Sequence, residues 1–264
     1  MTKILLVGCG RMGSALLTGW LGRGVAPADV VVVEPARPAF DGVTVVADAA
    51  EIPAGFAPDV VVLAVKPQVM AGVLPPYRRF ADHALVLTIA AGKPIASFRA
   101  ALGEGTAIVR AMPNTPAAVG RGITVGCAGP GVTAAQRTLA AELLSAVGEV
   151  GWVEDEAQID AVTALSGSGP AYVFLLVEAM AAAGARLGLD PDLAMRLARA
   201  TVSGSGELLR QSADDAASLR RAVTSPGGTT AAALAVLMDE TAGFGPLLER
   251  AIAAAEARSR ELAG

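Results

Sequence analysis

The sequence predicts an α/β fold: a doubly wound parallel sheet followed by an all-α domain. Three observations carry this. Short β-branched runs alternate with alanine- and leucine-rich stretches through residues 1–153. A glycine-spaced loop follows the first of those runs directly. Beyond Val153 no convincing strand remains, and alanine and leucine recur at helical spacing.

Taken in order, strands are expected at 3–7, 30–34, 44–46, 60–65, 85–88 and 106–110. Several are valine-rich without alternation, as strands covered on both faces should be. Helices are expected between them at 12–23, 68–80 and 95–102, giving a βαβ rhythm. Weaker strands at 123–127 and 149–153 flank a helix at 133–147 and extend the sheet. The remaining chain reads as helices at 156–166, 170–187, 191–211, 215–222, 229–240 and 244–261. Asp190-Pro191 marks one of their starts, a capping carboxylate before a first-turn proline. Two domains are therefore expected, 1–153 and 154–264.

With 264 residues the chain can bury a sizeable core, and its net charge of −4 disfavours a nucleic-acid partner. Cys9 and Cys127 lie far apart, without metal spacing or a disulfide framework, so a reducing cytoplasm is expected. The N-terminus has no signal-peptide pattern. The most membrane-like stretch, 171–185, is opened by Pro170, cut by Glu178, and shorter than the roughly 20 apolar residues of a span. It is expected in a core or a subunit interface, leaving a soluble protein with no membrane contact.

Gly8-Cys9-Gly10-Arg11-Met12-Gly13 stands between a strand and a helix, the context a dinucleotide site demands. Gly8 permits the tight turn, Gly10 lets backbone approach a pyrophosphate, and Gly13 lets helix and strand pack closely. Glu34, about 20 residues further on, can accept from an adenosine ribose hydroxyl. Other irregular segments follow strand ends, where ligands bind in open α/β sheets: Ala64-Val65-Lys66-Pro67, Ala90-Ala91-Gly92 and Met112-Pro113-Asn114-Thr115-Pro116. Lys66 is as much a cofactor contact as a solvated lysine. Arg110 and Arg121 are salt-bridge partners or substrate-side cations, which spacing does not decide.

Val223-Thr224-Ser225-Pro226-Gly227-Gly228-Thr229-Thr230 leads into an apolar helix. Gly227 and Gly228 leave backbone N–H groups uncovered where the helix dipole is positive, a cradle for a small carboxylate. The plainer reading is a helix cap after a Pro-Gly turn. His83 is the only histidine, beside Asp82 in a surface connection, and the lysines are Lys3, Lys66 and Lys93. So few acid/base groups disfavour alcohol dehydrogenation and suit an electrophile already activated, such as a protonated imine. Two other readings stay open: a reductase of the same plan acting on another cyclic imine or a ketone, and a non-catalytic nucleotide sensor. A substrate panel separates the first, and tight NAD(P)H binding without turnover would mark the second.

The segment Val223 to Thr230 strongly resembles the signature of the pyrroline-5-carboxylate reductase family. Supporting matches are Gly8 to Gly13, Ala64 to Pro67, Arg110 to Pro116, and Leu165-Ser166-Gly167-Ser168-Gly169-Pro170-Ala171-Tyr172. The resemblance implies reduction of pyrroline-5-carboxylate, a cyclic imino acid, to L-proline by NADPH or NADH. It implies a Rossmann domain and an all-α dimerisation domain that interlocks with a second subunit, in a dimer or a ring of dimers such as a homodecamer. The cofactor would meet Gly8, Gly10, Arg11, Met12, Gly13, Glu34, Arg37, Ala64, Val65, Lys66, Pro67, Ala90, Met112, Pro113 and Asn114. Ser225, Gly227, Gly228 and Thr229 would hold the carboxylate, and Thr230 would face the ring nitrogen as the catalytic residue. NADPH-preferring members tend to carry a small polar residue and an arginine after the second strand. Here Glu34-Pro35-Ala36-Arg37 stands, so Glu34 would repel a 2′-phosphate while Arg37 could reach it.

Overall fold

A computed structural model describes residues 2–263 of the chain. Eight strands form one sheet: β1 Ile4–Val7, β2 Val30–Val33, β3 Thr44–Val46, β4 Val60–Leu63, β5 Leu85–Thr88, β6 Ile108–Met112, β7 Gly122–Ala128 and β8 Gly148–Val153. Their order is β3-β2-β1-β4-β5-β6-β7-β8, and every neighbouring pair is parallel except β6 and β7. The segment joining β6 to β7 is too short for a crossover, so those two strands run antiparallel. Strand order reverses between β1 and β4, which places the switch point of a doubly wound sheet at their carboxyl ends.

The valine and leucine runs are buried throughout β1, β2, β4 and β5, as two-sided coverage requires. Helix α1 (Arg11–Gly22) covers one face with Leu16, Leu17 and Trp20. The Trp20 indole donates from Nε1 to the Leu143 carbonyl at 2.8 Å, joining α1 to α4 (Ala134–Ser145). Helix α3 (Ile95–Leu102) covers the other face with Ile95, Phe98 and Leu102. The helix expected over 68–80 is instead one turn, α2 (Met70–Val73), followed by a 3₁₀ stretch, Pro75–Phe80. Two consecutive prolines explain the difference. Each lacks an N–H, and the second disfavours α conformation in the first.

By contacts the chain forms two compact units. One runs to Gly167 and takes in the chain from Ala255 onward; the other is Ser168–Ala254. Val153, where composition shifts, is the last residue of the sheet. The unit nonetheless continues to Gly167, because α5 (Gln158–Val162) buries Ile159 completely against the sheet core. A π-helical turn, Thr163–Gly167, follows α5.

The second unit holds α6 (Gly169–Arg186), α7 (Pro191–Gln211), α8 (Ala216–Ala222), α9 (Thr229–Leu237) and the first part of α10 (Phe244–Ala263). Its buried hydrophobic side chains, among the described residues, are only Ala181, Ala194 and Ala198. Phe174 and Leu175 on α6 are 61% and 63% exposed, and Val236 on α9 is 73% exposed. One continuous helical stretch among the described residues, Gln158–Arg186, is long and apolar enough to cross a membrane.

Candidate active site

The glycine loop between β1 and α1 has three differently constrained positions. Gly8 sits at φ +89°, and a Cβ there would fall 2.7 Å from Val65 Cγ1 and 2.9 Å from the Ala64 carbonyl carbon. At Gly13 a Cβ would overlap the Gly8 carbonyl oxygen. Around Gly10, by contrast, no atom lies within 4 Å of a Cβ position. Gly10 is the N-cap of α1 and no side chain caps it, so the helix opens with free donors beside bare backbone. This arrangement fits a dinucleotide's pyrophosphate.

A cleft of about 520 Å³ lies over the carboxyl ends of β1, β2 and β4. Of the predicted cofactor residues, Gly8, Gly10, Glu34, Ala64, Val65 and Lys66 line it. Glu34 follows β2, and its Oε2 accepts the Cys9 N–H at 2.8 Å, while Oε1 accepts the Ala36 N–H at 3.3 Å. Burial and the Glu34 charge push the Cys9 thiol up to about 11, leaving it protonated and inert at neutral pH. Arg37, at φ +44°, is paired with Glu51 through Nη2, at 2.9 Å and 2.6 Å to its two oxygens.

The remaining predicted positions lie at or after the ends of these strands or on α1. Met12 is half-buried against the core, and Arg11 is exposed and lines a different cavity, on the α4 side of α1. Pro67 is half-buried after β4, Ala90 is buried after β5, and Met112 and Pro113 are buried at the end of β6. Asn114 is more committed than its sequence position implies. Its Oδ1 accepts from Ile123 N–H at 3.0 Å, and its Nδ2 donates to Ser166 Oγ at 3.2 Å. One amide hydrogen is left for a ligand.

Arg110, open between two roles in the sequence, is a buried ion-pair partner. It is 3% exposed and donates from Nη1 to Glu156 Oε1 at 2.9 Å. The same oxygen accepts Ile95 N–H at 2.8 Å, so one carboxylate joins β6 to the start of α3. Arg121 is exposed, as is His83.

In the second unit, Gly227 sits at φ +69° and Gly228 N–H donates to Ser225 O at 3.1 Å, closing a tight turn. Gly228 caps α9 with backbone alone. Ser225, Gly227 and Thr229 are exposed, and Gly228 and Thr230 are half-buried. A helix end with free donors and adjacent hydroxyls is thus available to a small anion.

Two family models match the chain: residues 3–92 match "NADP oxidoreductase coenzyme F420-dependent", and residues 156–262 match "Pyrroline-5-carboxylate reductase dimerisation". A pyrroline-5-carboxylate reductase of Pseudomonas aeruginosa is 45% identical over 99% of this chain and 97% of its own length. The chain belongs to the pyrroline-5-carboxylate reductase family. A relative in the same family from Mycobacterium tuberculosis is 42% identical over 99% of this chain and 97% of its own. Among solved structures, the Coxiella burnetii reductase superposes with a TM-score of 0.90 at 35% identity, covering 100% of this chain and 99% of that one. The Plasmodium falciparum reductase, solved with NADP bound, superposes at 0.84 with 28% identity over 100% and 98%.

The chain is accordingly an oxidoreductase with an N-terminal Rossmann-type domain and a C-terminal helical dimerisation domain. Glu51 and Glu156 are the functional-site neighbours that sequence reasoning missed. Asp48-Ala49-Ala50-Glu51 carries a turn signal, because Asp48 Oδ1 accepts Ala50 N–H at 2.8 Å. Nothing in that pattern points Glu51 at Arg37.

Proposed function

We propose that this chain reduces 1-pyrroline-5-carboxylate to L-proline, the final step of proline biosynthesis, with NADH or NADPH. The observation that carries this is the near full-length 45% identity to a reductase of that name. The uncapped start of α9, with hydroxyls beside it, supports it chemically. A bound nicotinamide supplies hydride to the carbon of the C=N bond. The substrate nitrogen enters protonated, so the hydride completes a neutral amine without an added acid.

The protein's own residues then have limited tasks. Ser225, Gly227, Gly228 and Thr229 bind the carboxylate through N–H and O–H donors at the positive end of α9. Thr230 orients the ring nitrogen by accepting its hydrogen. On the first unit, the Gly8–Gly13 loop and the strand-end segments hold the cofactor. The chain assembles as a dimer or ring of dimers in the cytoplasm, burying the apolar surface of α6. That same surface accounts for the membrane-like composition of Gln158–Arg186.

The deciding test is oxidation of reduced nicotinamide by purified protein with pyrroline-5-carboxylate, with proline identified by mass spectrometry. Absence of proline from folded, cofactor-bound protein would refute the assignment.

A further inference from the structure

We infer that this chain selects NADH over NADPH, and that Glu51 is a specificity-determining residue acting through Arg37. The inference deepens the proposed reaction and rests on it only in taking the cofactor to be a nicotinamide dinucleotide.

The two cofactors differ by one 2′-phosphate on the adenosine ribose. A carboxylate after β2 accepts from a free 2′-hydroxyl, whereas an available arginine there accommodates a phosphate. Glu34 holds that position and is not free to swing away. Cys9 N–H at 2.8 Å ties one oxygen to the glycine loop, and Ala36 N–H at 3.3 Å ties the other to the turn after β2. Its charge faces the cleft in company with Asp48, which also lines it.

Arg37 is the cation the turn brings to this end, its N–H donating to Glu34 O at 2.9 Å. Both oxygens of Glu51 hold its Nη2, at 2.6 Å and 2.9 Å. Arg79, the other cation nearby, donates to the Ala49 carbonyl at 3.0 Å and lies over the Phe80 ring. Lys66 lines the cleft from the end of β4. At the β2 end, then, three carboxylates, Glu34, Asp48 and Glu51, stand beside Arg37, which is already paired, and Arg79, which is held by a carbonyl and a ring. A dianionic phosphate meets repulsion there, and a hydroxyl meets an acceptor. Glu51 contributes by keeping Arg37 engaged.

The Arg37–Glu51 pair is about half exposed, so its influence is modest. Equilibrium titration of nicotinamide fluorescence gives Kd for NADH and NADPH without any substrate. The native chain is expected to bind NADH more tightly. Glu51→Gln should lower the ratio Kd(NADPH)/Kd(NADH) by about 2- to 5-fold. In Arg37→Ala/Glu51→Gln that gain should vanish, because the freed cation is gone. A merely structural role for Glu51 would weaken both cofactors and leave the ratio unchanged. Should Glu51→Gln fail to fold, Glu34→Ser reads the same quantity, with a drop of at least about 10-fold expected. Tighter native binding of NADPH, or a ratio indifferent to these substitutions, overturns the inference. Protein that shows the ratio yet makes no proline would refute the proposed reaction alone.

Discussion

Three glycines in one loop are held for different reasons, and substitution separates them. Alanine at Gly8 must adopt φ +89° and collide with Val65, so Gly8→Ala should destabilise by about 1–3 kcal/mol, read as a lowered Tm. Gly10→Ala meets open space and should fold normally, yet lose dinucleotide affinity in a binding titration. Thr230→Val keeps shape and removes one hydrogen bond to a charged group. It should lower kcat/KM about 10- to 150-fold while cofactor Kd holds. Normal turnover by folded Thr230→Val would leave the hydroxyl no catalytic part. Cys9 offers a titration. With its proton held to about 11, iodoacetamide alkylation followed by mass spectrometry should stay slow through pH 9, where a free thiol is largely ionised. The sign is that of a raised pKa. The thiol's contribution to stability is intact below its ordinary value and lost as pH rises through about 11. Backbone demands made the glycines legible, because only one residue type meets them. Glu51 was not legible, since its partner is chosen by a turn in space rather than by spacing.

At the scale of elements, a single carboxylate joins β6 to α3. Glu156→Ala would leave the Arg110 guanidinium buried without its counter-charge, at a cost of about 3 kcal/mol in denaturant unfolding. Glu156→Gln should cost less, because an amide oxygen still accepts from Ile95 N–H. Equal losses in the two variants would show that the acceptor oxygen adds nothing, whereas no loss in Glu156→Gln would show that the charge is immaterial. The doubly wound parallel sheet was readable from uninterrupted valine runs, which have few other uses, whereas strand order leaves no such mark in the sequence. The helix expected over 68–80 was misread because apolar spacing outweighed Pro75-Pro76, and prolines act on backbone donors rather than on periodicity. The continuation of the first unit past Val153 was hidden for a related reason. Composition registers the end of the strands, whereas Ile159 reveals its role only by packing against them.

Over the whole molecule, the helical unit buries just three alanine side chains among its described hydrophobic residues, against two broad clusters around the sheet. So little apolar burial cannot sustain that many helices in isolation. Light scattering should therefore find a dimer or a multiple of dimers at assay concentration, and Leu175→Glu should shift it toward smaller species with loss of activity. An active monomer would contradict this directly. The self-association was readable from 171–185, whose composition suits no water-facing helix; the number of subunits leaves no such trace.

The first unit is not one continuous piece of chain. Ser259, near the end of α10, is 5% exposed and donates its hydroxyl to Asp160 at 2.7 Å, across nearly a hundred intervening residues. Synthesis proceeds from the N-terminus, so the nucleotide-binding unit emerges long before the segment that completes it. During those seconds the polypeptide carries a nearly finished sheet with Asp160 lacking its hydroxyl partner. Final closure of the cofactor unit is consequently a late event that must await synthesis of α10, and a nascent chain stalled before residue 255 is expected to yield to proteolysis around α5.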